Sequence, residues 1–104
     1  PRTGVIEEYL ETMLPQNWDN MQVWERQNYL SDRQRIKTDG VIKREKVCPA
    51  EIWTECLGND YKNMKIHEAR TIANILRSLA GWKERKPSRT RFKHYGLQTT
   101  FIRE

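Results

Sequence analysis

A chain of 104 residues with 37% hydrophobic and 32% charged side chains is sized for one compact domain, able to build a core without disulfide or metal support. Ten aromatic residues, four of them Trp, exclude a disordered chain, and the lack of any apolar run near about 18 residues excludes a helical membrane span. The net charge of +5 is uneven: residues 1–35 carry four Lys/Arg against six Asp/Glu, residues 36–104 fifteen against eight, a gradient that suits a polyanion such as DNA.

The chain starts on Pro1 and opens directly into helical pattern, which predicts a piece of a longer protein. Thr3 is placed to cap a first helix, with Val5, Ile6, Tyr9, Leu10, Met13 and Leu14 at helical spacing and Pro15 as its stop. Asp19 is the expected cap of a second helix running to about Leu30, with Trp18 and Trp24 pinning it to the rest. Arg33–Gly40 reads as polar connection ending in an Asp39-Gly40 turn.

The second half has a distinct grammar. Val41–Val47 is an extended run with β-branched residues at its ends. Pro49 suits the first turn of a short helix, Pro49–Leu57, whose inner face is Ile52, Trp53, Cys56 and Leu57, and Gly58 fits its C-terminal cap. Asn59–Asn63 connects it to the most periodic helix of the chain, Ile66–Leu79. There Ala69, Ile72, Ala73, Ile75, Leu76 and Leu79 form one face, and His67, Arg70, Thr71, Asn74, Arg77 and Ser78 the other. Trp82 opens a strand, Pro87–Ser88 reads as the turn of a basic hairpin, and Leu97, Thr99 and Phe101 alternate as its returning strand.

Extended run, short helix, longer helix and basic hairpin in that order predict a mainly α, α+β fold. It is a winged helix-turn-helix with an extra N-terminal helix and a small β-hairpin wing. Residues 1–35 supply the N-terminal helices, and residues 40–104 the helix-turn-helix core and wing.

In such a fold the outward stripe of the second helix enters the major groove. Arg70, Thr71, Asn74 and Arg77 make that stripe here, and Arg and Asn suit it because they pair bidentately with guanine and adenine. The wing is richer still. Lys83, Arg85, Lys86, Arg89, Arg91 and Lys93 face only Glu84 among acids, the composition needed to neutralise phosphates and release counterions. Lys43, Arg44 and Lys46 add backbone contacts if their strand joins the wing sheet. The bland counterpart is an amphipathic surface helix beside an edge hairpin kept soluble by charge.

Chemistry is poorly provided for. The five glycines are scattered singly, so no phosphate-cradling loop exists, and His67-Glu68 lacks the second histidine of a zinc-binding helix. Cys48 and Cys56, eight apart, match neither a redox nor a zinc spacing and read as buried reduced thiols. No catalytic residue, metal or cofactor is therefore expected of this piece. Without a signal peptide, a cytoplasmic location is the expectation.

Several phrases resemble the C-terminal region of virulence-associated protein E family proteins. They are Gln16-Asn17-Trp18-Asp19, Trp24–Leu30, Val47–Trp53 with Cys56-Leu57-Gly58, Ala69–Ile72 into Ile75–Leu79, Gly81-Trp82, and Tyr95–Gln98 with Phe101. The resemblance implies a bacterial, phage or prophage replication protein with an ATPase core of the primase–helicase type, this piece being the tail behind the motor. None of that core's nucleotide-binding motifs is present here. Two functions follow as expectations: a DNA-binding winged helix serving a phage-type replicative helicase, or a module docking onto its own ATPase core or a replication partner. A free-standing repressor, dimerising through the first helix, is the third.

Overall fold

Apolar residues three and four apart begin the fold. In the computed structural model, which describes residues 2–104, helix α1 (Arg2–Glu11) buries Ile6, Tyr9 and Leu10. Thr3 lies inside this helix and does not cap it. The helix also ends earlier than its periodicity suggests. Leu14 leaves it to form an antiparallel bridge with Ile42, through N–H···O bonds of 2.8 and 2.9 Å in both directions.

Helix α2 (Val23–Ser31) starts four residues beyond Asp19. Its cap is Gln22, whose backbone N–H donates to the Glu25 carboxylate at 3.0 Å. Asp19 falls instead in a short 3-10 turn, Trp18–Asn20. The cause is tertiary: buried Trp18 offers its carbonyl to Arg26, which donates through Nε and Nη2 at 3.2 and 2.9 Å. Trp18 pins the region as expected. Trp24 does not, because it stands 64% exposed.

The polar stretch expected as a connection is a helix, α3 (Arg33–Asp39). Asp32 caps it by accepting from the Arg35 N–H at 3.2 Å, and Arg35 pairs with Asp39 one turn on. Half-buried Ile36 anchors it on Leu14, Trp18, Met21 and Tyr29. Gly40 follows because the chain passes α1's exit too closely for a side chain. A Cβ there would lie 2.5 Å from the Ile36 carbonyl oxygen and 2.9 Å from Met13 Cβ.

Of the extended run, only Lys46–Val47 forms ladder bonds, as strand β1. Pro49 opens α4 (Pro49–Glu51), which widens at once into a π-turn over Ile52–Cys56, with the Leu57 N–H reaching back to Ile52 O at 3.0 Å. The widening brings Thr54 and Glu55 inside with Ile52 and Trp53. Gly58, at φ +73°, takes the left-handed conformation that ends it. Helix α5 (Ile66–Ser78) buries Ile72, Ala73 and Leu76 and exposes His67, Arg70, Thr71, Asn74, Arg77 and Ser78, as its periodicity predicts.

Strands β2 (Trp82–Phe92) and β3 (Gly96–Arg103) complete an antiparallel sheet ordered β1-β3-β2. The described residues thus form a mixed α+β fold of five helices and one small three-stranded sheet. The main core joins α1, α4, α5 and the sheet through residues such as Leu10, Trp53, Leu76, Trp82 and Phe101. Its Cα radius of gyration, 13.0 Å, is that of a compact chain of this length. Among the described residues, no helix is long and apolar enough to cross a membrane.

Candidate nucleic-acid interface

The basic residues of β2 owe their positions to an irregular strand. Pro87–Ser88 is not the hairpin's turn. Pairing runs from Glu84↔Phe101 directly to Arg89↔Thr99, so residues 85–88 bulge out opposite Thr100 alone. Proline cannot donate to a ladder, which suits the bulge. Thr100 Oγ1 restores order beyond it by accepting from the Thr90 N–H at 3.1 Å. Arg85 braces the bulge, donating from Nη1 to Pro87 O at 3.0 Å.

The true turn lies at residues 93–95, and it is folded back onto the body. Phe92 and Tyr95 are buried with Cys48 and Ala50, and His94 Nε2 lies 2.7 Å from Met21 O. What projects is therefore the bulge and the exposed residues beyond it, where Arg89 and Arg91 sit opposite Thr99 and Leu97. Lys83, Lys86, Arg89, Arg91 and Lys93 are all exposed, and none has an ion-pair partner among the described residues. The arginines of the N-terminal half behave differently: Arg33 pairs with Glu8 and Arg35 with Asp39.

Arg70, Thr71 and Asn74 of the α5 stripe are exposed, and Arg70 too is unpaired among the described residues. Arg77 is engaged. It donates to Glu84 at 3.0 and 3.1 Å and to Asn74 Oδ1 at 3.0 Å. That link sets the end of the stripe beside the start of β2. It also ties up two of the side chains expected to read bases, so DNA contact by Arg77 and Asn74 requires exchanging these bonds.

Among Lys43, Arg44 and Lys46, the structure takes Arg44 off the exposed basic surface. It is 3% exposed, stacked 4.1 Å from the Tyr9 ring and 5.2 Å from Trp18. The pleat turns Arg44 inward while Lys43 and Glu45 face out. Lys46 remains exposed, its ammonium 4.5 Å over the Phe92 ring.

Beneath this surface lies a constellation that sequence reasoning missed. Glu55 accepts from Tyr9 Oη at 3.1 Å, Tyr95 Oη at 2.6 Å and Arg26 Nη1 at 3.1 Å, with its side chain wholly buried. Glu51 lies 3.6 Å from Arg26 Nη1 and 3.5 Å from Arg44 Nη1. The available signal was the short helix itself: Glu51 and Glu55 are one turn apart in a segment otherwise apolar enough to be engulfed.

Burial pushes the Glu51 carboxyl up to about 7, against the pull of Arg44 and Arg26 and with the charge of Glu55 adding to the rise. Burial likewise raises Tyr95, whose hydroxyl is bonded to the Glu55 carboxylate, and Cys48, and takes the half-buried Cys56 thiol to about 11. Both cysteines are free, and neither is activated as a nucleophile.

The Glu51 shift has a measurable consequence. The folded chain keeps this proton to about pH 7, whereas the unfolded chain releases it near 4.5. Between those values the folded state binds more protons, so the contribution is fully present below about 4.5 and is lost as pH rises to about 7. The expected loss is on the order of 2–3 kcal/mol. Urea unfolding of wild type and Glu51→Gln at pH 5 and pH 8 reads it as a difference: the variant gains on wild type at the higher pH. A gap that does not move with pH means that Glu51 titrates normally.

The chain matches no family model and no curated protein.

Proposed function

We propose that this chain is a non-catalytic DNA-binding winged helix, acting as the C-terminal domain of a phage-type replicative ATPase or helicase. The carrying observation is a set of five exposed cations without ion-pair partners among the described residues, four on β2 and Lys93 in the turn after it, joined through Arg77–Glu84 to the outward stripe of α5. Unpaired Lys and Arg on one strand gain most from phosphates, because no internal partner must be given up. The order of β1, α4, α5, β2 and β3, with β1 beside β3, supports the winged-helix reading. The phrases carrying the resemblance include buried core positions such as Val47, Ala50, Trp53, Trp82 and Phe101. They therefore support a shared fold more than a shared chemistry.

The exposed stripe of α5 favours DNA over a docking module, since none of the described residues covers it. Fluorescence anisotropy with labelled duplex and single-stranded DNA across a salt series tests the proposal. Micromolar or tighter binding with a steep negative log–log salt slope is expected. Absence of binding at low salt returns the chain to the docking reading, with its ATPase core as the partner to seek.

A further inference from the structure

A cleft of about 510 Å³ opens between residues 42–46, the folded-back end of the hairpin and residues 14–20. That volume is in the range of small-ligand sites, roughly 300–1,000 Å³. Its rim carries Lys43, Lys46, Arg91 and Lys93 against Asp19 and Glu45, an excess of two positive charges.

Arg44 and Glu51 are part of its lining and are 3% and 4% exposed. Arg44 Nε and Nη2 and Glu51 Oε1 have no hydrogen-bond partner among the described residues. Buried polar atoms are almost always satisfied, so two donors and an acceptor left open at one cleft point to a ligand. A phosphate does not suit this floor, because it offers no donor to Glu51 Oε1 and is repelled by Glu51 whenever that group is ionised. A nucleobase edge does suit it, presenting a carbonyl or ring-nitrogen acceptor beside an amino donor. The rim then suits the phosphate, and the planar Arg91 guanidinium and His94 ring on the wall suit stacking on the base.

We propose that this cleft takes one unstacked nucleotide of a nucleic-acid strand, its base edge on Arg44 and Glu51 and its phosphate on Lys43, Lys46, Arg91 and Lys93. The inference rests on the nucleic-acid reading only in choosing a strand over a free nucleotide.

NMR of the ¹⁵N-labelled full chain tests it, titrated with each deoxynucleoside 5′-monophosphate, with inorganic phosphate and with a single-stranded pentanucleotide. Saturable shifts at Lys43–Lys46, Arg91–Tyr95 and the Trp18 indole are expected with nucleotides and not with phosphate at equal concentration. A pentanucleotide binding about tenfold tighter than the monomer assigns the site to a strand, whereas equal affinity assigns it to a free nucleotide; both retain the cleft. Lys43→Glu with Lys93→Glu, both exposed, weakens monomer binding by about tenfold or more while leaving Tm unchanged. At pH 8, where Glu51 is ionised, Glu51→Gln replaces one acceptor oxygen with a donor and alters the ranking of the four nucleotides by at least about fivefold, which a purely structural role does not do. Equal shifts with phosphate, shifts confined to α5, or no shifts each overturn the proposal. Duplex binding measured in parallel separates the two readings. Loss of cleft binding with duplex binding intact sinks only this inference, and the reverse result sinks only the groove-binding function.

Discussion

Replacing Glu55 with alanine is expected to cost about 3–5 kcal/mol of folding stability, against a total of roughly 5–15 kcal/mol for a domain of this kind. Glu55 is where α1, α2, the π-turn of α4 and the hairpin end meet, through Tyr9, Arg26 and Tyr95. Its removal leaves Arg26, with a side chain 6% exposed, only the more distant Glu51 at 3.6 Å as a carboxylate beside its bonds to the Trp18 carbonyl, and strips two buried hydroxyls of their acceptor. An unpaired buried charge carries the full desolvation penalty, whereas the intact pair returns only part of it. In thermal unfolding the variant melts about 20 °C lower or is already unfolded at room temperature. Glu55→Gln keeps the shape and an acceptor, and falls between the two. Glu7→Ala, exposed on α1, serves as the control and shifts stability by no more than about 0.5 kcal/mol. A Glu55→Ala melting curve that overlays the control would mean that the network contributes nothing.

The second large effect is on binding. Converting both Arg89 and Arg91 to glutamate is expected to weaken duplex affinity on the order of 100-fold at low salt and to flatten the log–log salt slope by about 2. The two side chains lie opposite Thr99 and Leu97, are exposed and have no ion-pair partner among the described residues. Folding is therefore unaffected, and circular dichroism of the variant overlays wild type. Because phosphate contacts carry no sequence information, all duplexes lose affinity alike. Arg70→Ala, by contrast, weakens some sequences more than others if α5 enters the groove. An unchanged slope in the double variant removes β2 as the contact surface.

Local rules set a large share of this. The exposed and buried faces of α5, Pro49 at the first turn of α4 and the extended run before it followed from spacing and side-chain chemistry that act within a few residues. The charge gradient was also legible, since charges on long side chains reach the surface under almost any packing. The cations of β2 stood out for that reason.

Other features needed the folded chain. The polar stretch 33–39 is helical because the neighbouring Asp32 caps it, a local signal, and because Ile36 finds Leu14, Trp18 and Met21, partners well outside the helix and its flanks. The hairpin turn moved from Pro87–Ser88 to residues 93–95 because Phe92 and Tyr95 had a pocket beside Cys48 and Ala50 to fill, and the turn-forming residues were displaced into a bulge. Arg44 reads as one more surface cation until the pleat of the chain sets it against Tyr9 and Trp18. Glu51 and Glu55 read as the solvent side of a short helix until α1, α2 and the hairpin close over them. The sequence by itself determined which segments are amphipathic and where positive charge accumulates, because both depend on nearest neighbours and side-chain type. Only the tertiary structure decided which charges are buried and with whom they pair, because burial is set by residues far apart in the chain and its energy changes sign with the partner found there.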